Sequence, residues 1–183
     1  MHRAARAVVA VLDQKVAVLA VVPQALYTSV CPLVGASIGQ HTRHSLDHVE
    51  RAAAACRDLR GSAAATTLRY DDRVRGSAVN SSAVAITAAL AARETILAAL
   101  AGRDELLDAR VDVSFNLSGD DDVQDALRST LARELAFVAH HAFHHAAMVR
   151  IIAVHHLGLD ADSLPPDLGR APSTLRFDQA TKR

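Results

Sequence analysis

Val138-Ala139-His140-His141-Ala142-Phe143-His144-His145-Ala146-Ala147-Met148 is the stretch that decides how this chain folds. At about 100° per residue, Val138, His141, His145, Met148 and Ile152 follow a 3-4-3-4 spacing and share one stripe. Such a stripe is the seam that a helix buries against its neighbours. His140 and His144 also stand one turn apart but lie round the flank. The spacing therefore predicts a helix from about Ser129 to Leu157, closed by Gly158, with His141 and His145 pointing inward.

A second histidine run lies upstream. His41, His44 and His48 stand at i, i+3 and i+7 on the face that also carries Ala52, Ala55 and Leu59. Ser37 is placed to cap this helix, and Gly61 with Ser62 ends it near Leu59. Of the ten histidines, all but His2 fall in these two segments, which sets them apart from scattered surface residues. Several imidazoles in one apolar seam need partners. Two imidazoles one turn apart can chelate one metal ion, and a third from the facing helix completes a three-point site. Neutral imidazole suits zinc, nickel, copper or iron(II). Three protein ligands leave positions open, as in catalytic rather than structural zinc. His155 and His156 lie further along and read as surface residues.

The rest of the chain fits one helical domain spanning 1–183. Half of the 183 residues are hydrophobic, but only 3% are aromatic and Trp is absent. The core must therefore be built from Ala, Val and Leu, which favour helix and close helix approach. A first helix is expected from His2 to Val22, ended by Pro23, with Arg3, Arg6, Asp13 and Gln14 near one side. Asp13, Gln14 and Lys15 break its apolar run, so it is too short and too polar for a secretory leader or a membrane span. A further helix is expected from Ser81 to Ala101, closed by Gly102. Residues 61–80 read as a long polar connection, and long ordered loops are often functional. Residues 110–117 alternate apolar and polar side chains, and Gly119 with three aspartates follows as a turn, so a small β-hairpin is expected there. Pro165, Pro166 and Pro172 predict an irregular tail from about residue 159 to 183.

Lys+Arg and Asp+Glu both number 20. No basic excess or stripe marks a nucleic-acid partner. Cys31 and Cys56 are too few for a disulfide framework and read as reduced thiols, consistent with a cytoplasmic protein. The chain has no His-Glu-x-x-His, no Glu-x-x-His of di-iron bundles, no Gly-x-Ser-x-Gly and no phosphate or dinucleotide loop. A single metal fits better than two.

The stretch Ser37-Ile-Gly-Gln-His41-Thr-Arg-His44-Ser-Leu-Asp-His48, followed about 95 residues later by His141-Ala-Phe-His144-His145, resembles the DinB-like (YfiT-like) superfamily. The tail Ala171-Pro-Ser-Thr-Leu-Arg176-Phe177 is similar to that of one bacterial branch. The resemblance spans most of the chain. It implies an all-α fold, a four-helix bundle, holding one divalent metal ion, zinc or nickel, on a histidine triad. On this sequence the triad falls on His44, His141 and His145. It also implies a metal-dependent enzyme, since members with known activity include transferases and isomerases that use low-molecular-weight thiols such as bacillithiol or mycothiol. The expected partners are a small-molecule substrate, a thiol among them, with no membrane, and the apolar first helix leaves room for a homodimer. The residues expected to border the pocket are His41, His48, Tyr70, Arg73, Glu134 and His144. Arg73 could hold a substrate carboxylate, and Glu134 could pair with an arginine of the second helix. The competing expectation is a non-catalytic metal-binding or stress-response protein, which the surplus histidines favour.

Overall fold

The computed structural model describes residues 1–61, 66–72, 80–118 and 124–181. The long helices are α1 (Arg3–Val21), α3 (Ile38–Gly61), α4 (Ser82–Leu100) and α5 (Leu131–Ile151). Two shorter α-helices are α2 (Gln24–Tyr27) and α6 (Pro172–Thr181). Three of the four long helix starts have a local side-chain cap. Ser37 and Gln40 form a reciprocal capping box on α3, with Gln40 N donating to Ser37 Oγ (3.1 Å) and Ser37 N to Gln40 Oε1 (2.8 Å). Thr130 Oγ1 accepts from Arg133 N at the head of α5, and Glu134 lies in that first turn, where the helix dipole favours an acid. His2 Nδ1 accepts from Ala4 N at the head of α1. Gly102 and Gly158 take left-handed backbone just beyond α4 and α5, as helix-ending glycines do.

α1 packs on α4 and α5, and α3 packs on the same two helices. The four therefore stand at four corners, with the α1–α4 edge opposite the α3–α5 edge. Their shared interior holds Val8, Leu12, Leu19, Val49, Cys56, Ile96, Leu135 and Val138, all essentially sealed from solvent. Gaps are closed by alanines such as Ala52, Ala85, Ala89 and Ala142, which is how a core with few aromatics reaches close packing.

The chain is mostly helical rather than wholly so. The expected hairpin is present as β2 (Arg110–Asn116) and antiparallel β3 (Gln124–Thr130). A third strand, β1 (Thr66–Arg69), comes from the connection read as a loop and lies parallel to β2, Leu68 opposite Val113. Leu68, Val111 and Val113 turn one face of this sheet inward.

The C-terminal segment is also more ordered than expected. Leu164 and Leu168 are buried, and Gly169, at φ +70°, lies so close to α5 that a Cβ there would meet Ala147 Cα at 2.4 Å. Pro172 then opens α6, a position where its missing N–H costs nothing. Pro165 and Pro166 lie outside any helix, as expected of an irregular tail, but the expectation is corrected by the helix that Pro172 opens and by the two leucines that dock the segment. At the end of α5 the backbone changes pitch, and Ile152–His156 form a π-helical turn before Gly158.

Candidate metal centre

α3 and α5 face each other along their histidine segments. One ring nitrogen from each of His44, His141 and His145 lies within 4.8 Å of the others, a group that could hold a metal ion. The rings meet edge to face, with centroids 4.9 Å apart for His44 and His141, 4.7 Å for His44 and His145, and 4.5 Å for His141 and His145. His44 and His141 are half-buried and His145 is buried.

Burial, and then the neighbouring imidazoles of His141, His44, His41 and His144, push the His145 pKa down to about 2. A charged ring would be desolvated and surrounded by other basic rings. The neutral form that results is the form with a lone pair to give a metal. His41 lies behind it, its Nδ1 2.9 Å from His145 Nδ1. One of these two atoms carries the proton. With the proton on His145 Nδ1, its Nε2 lone pair is left unshared, the arrangement that outer partners of metal-binding histidines impose. His41 Nε2 is buried with no hydrogen-bond partner among the described residues. Burial, the His144 ring and the Lys15 ammonium lower the His41 pKa. Three crowded imidazoles, the His145 ring among them held neutral, with one orphaned ring nitrogen beside them, form a donor set that could hold a metal ion.

The other side of the triad is a wall. His48 stacks on Tyr70 (5.0 Å, 13° between planes) and lies 4.2 Å from His141, centroid to centroid. The Tyr70 hydroxyl donates to Glu134 Oε2 at 2.8 Å. The opposite carboxylate oxygen accepts from Ser129 Oγ at 2.6 Å and from Arg133 Nη1 at 2.8 Å. Glu134 is fully buried, and these donors satisfy it, as a buried charge requires. Burial and then the Glu134 carboxylate raise the Tyr70 pKa well above the phenol range. Tyr70 is therefore a fixed donor rather than a base. Phe137 closes the wall, its ring 5.3 Å from Tyr70 and 5.8 Å from His141, with the Arg133 guanidinium 5.2 Å above it.

Five of the six residues expected at the pocket border can be placed. His41, His48 and Tyr70 gather around the triad, and Glu134 anchors Tyr70. His144 is exposed, with its ring 5.1 Å from His145. Arg73 lies outside the described residues. The expected pairing of Glu134 with an arginine of the second helix is replaced by Tyr70, Ser129 and its own neighbour Arg133, because β1 and β3 deliver those groups to the head of α5. No family model, characterised protein or solved structure matches this chain. The DinB-like resemblance therefore stands on the motifs quoted above.

Sequence reasoning missed one buried ionisable group near the site. Lys15, in α1, donates from Nζ to Ser45 Oγ at 2.7 Å, and burial pushes its pKa down to about 8. Its signal was position: Lys15 falls three residues after Leu12 and three before Val18, on the apolar stripe of α1. Neither cysteine is placed for nucleophilic work. Cys31 and Cys56 are both buried and free, and burial pushes the Cys56 thiol up to about 12.

Proposed function

We propose that this protein binds one divalent metal ion, zinc or nickel, through His44, His141 and His145, and uses it as a metal-dependent enzyme on a small-molecule substrate. The reading includes a four-helix bundle of the DinB-like type in the cytoplasm, with a low-molecular-weight thiol as the preferred co-substrate. The observation that carries it is the approach of three imidazoles, from positions about 100 residues apart in sequence, to within 4.8 Å.

A bound divalent ion supplies Lewis acidity, which favours the deprotonated form of a thiol or a water at neutral pH. The chain's own groups do the rest. His41 orients His145 through the Nδ1–Nδ1 hydrogen bond, and Tyr70, pinned by Glu134, holds His48 flat beside His141. Half-buried His44 and His141 keep one side of the triad within reach of solvent, which supports an enzyme over a closed structural site.

A second reading, non-catalytic metal binding, draws support from His41 and His48, which add imidazoles beyond the three a catalytic site needs. Metal analysis of tag-free protein, followed by calorimetry of the metal-loaded protein against several small thiols, separates the two. One metal per chain and metal-dependent thiol binding are expected. Metal at that stoichiometry with no thiol bound would remove the transferase reading and leave metal binding or water activation.

A further inference from the structure

α4 is apolar enough by length and composition to cross a membrane, yet only about a third of it is buried. A helix that is hydrophobic all round belongs in an interior. Outward it presents Val84, Leu90, Ala91 and Ala98, with Val84 and Leu90 51% and 43% exposed. α1 lies alongside, and just past its end Gln24, the first residue of α2, reaches the head of α4, where its Nε2 donates to Asn80 O and its Oε1 accepts from Ser82 N, both at 2.9 Å. α1 adds exposed Ala17 and Val21 to the same side. Arg93 Nε donates to Asp13 Oδ1 at 2.9 Å and stitches the two helices into one surface. Arg93 also bonds Glu94, so the charges in the middle of this surface already satisfy one another.

We propose that the α1–α4 face docks on a second copy of this chain. At 1.5 Å per residue two 19-residue helices are about 28 Å long. With axes about 8–10 Å apart they offer a face of roughly 28 by 20 Å. Two such faces bury on the order of 1,100 Å², just above the roughly 1,000 Å² that a specific interface needs. Small side chains let helices approach closely, and the formal net charge of zero leaves no overall repulsion between copies. A lipid partner is disfavoured by position, because Arg93 and Glu94 would enter the hydrocarbon near the middle of α4. The face lies on the edge opposite the histidine cluster, so docking leaves that cluster accessible and does not depend on the function proposed above.

Sedimentation equilibrium and light scattering on the full chain test this, with Leu90→Glu and Ala91→Arg as two independent surface variants checked for fold by circular dichroism. The wild type is expected at twice the 19.4 kDa chain mass in the micromolar range, both variants at once that mass, and all three with the same metal content. A wild type at single mass throughout that range overturns the proposal. A single-mass wild type that floats with phosphatidylcholine vesicles overturns it in favour of a membrane. A dimer that survives both substitutions overturns it by assigning another face.

Discussion

The α3–α5 edge and the α1–α4 edge are built from helices of similar length, yet they spend their side chains in opposite ways. Between α3 and α5 the seam is filled with imidazoles and walled by a tyrosine, a buried carboxylate and Phe137. β1 packs beside it on α3, while the C-terminal segment docks on another side of α5, where Gly169 lies against Ala147. Between α1 and α4 the exposed outer residues include Ala17, Val21, Val84, Leu90, Ala91 and Ala98, with the Arg93–Asp13 ion pair joining the two helices. Polar groups are costly in an interior unless each has a partner. The crowded edge is therefore where the proposed metal site lies, and the bare edge where the proposed contact between copies lies.

The largest way to break this contrast is at the triad. His44→Ala, His141→Ala and His145→Ala should each weaken metal binding by more than about 100-fold, because each removes one of the three proposed ligands. His41→Ala should fall in the roughly 10–100-fold range of an outer partner. His140→Ala and His155→Ala should leave affinity nearly unchanged. Competition against a chromophoric chelator measures all of these. Equal losses at His140 and His141 would dissolve the distinction between seam and flank.

Next comes the cover over α5. Gly169→Ala requires left-handed backbone for a residue with a Cβ and drives that Cβ into Ala147. A loss of about 2–4 kcal/mol is expected in urea unfolding. Gly35→Ala is the control, because Gly35 also has φ +70° but nothing within 4 Å of a Cβ. It should cost only about 1 kcal/mol. Equal costs at the two sites would mean that the tail contributes no packing.

The smallest expected effect at neutral pH is at Lys15, the one cation inside the apolar stripe of α1. Its folded pKa of about 8 lies below the ordinary lysine value of 10.5. The native state therefore binds fewer protons than the unfolded chain between those values. Stability should rise as pH climbs from about 8 to 10.5 and stay flat below 8 with respect to this group. Lys15→Met should flatten that rise and add about 1 kcal/mol at pH 7, since Ser45 Oγ keeps its bonds to the His41 and Thr42 carbonyls. A wild type with no rise across that window would show that Lys15 is solvated.

The helices and their histidine stripes were legible because both signals are local. The 3-4 spacing around His141 and His145 needs no knowledge of the rest of the chain, and neither does the alternation at 110–116. What escaped was non-local. Thr66-Thr67-Leu68-Arg69 has a single buried position, too little for a period, and it becomes a strand only because β2 lies beside it. The role of Tyr70 follows from that pairing, with Tyr70 N donating to Ser114 O at 3.0 Å. Glu134 was noticed by its place on the seam, but its partners come from β1, β3 and its own helix, which no helix-to-helix argument could supply. The bare outer side of α4 was invisible for the opposite reason: an apolar sequence announces burial without saying against what.

The parallel pairing of β1 with β2 gives α4 a second identity. It is the crossover helix of a strand–helix–strand unit whose strands are adjacent. Such crossovers are right-handed in about 98% of cases, because a right-twisted strand feeds the following helix back onto the sheet in only one sense. Four helices at four corners could otherwise be wired in two mirror-related ways of nearly equal packing quality. Here four residues of strand discriminate between them. They bring the chain that left through α4 back alongside the strand it came from, and so constrain the sense in which it winds from one corner to the next.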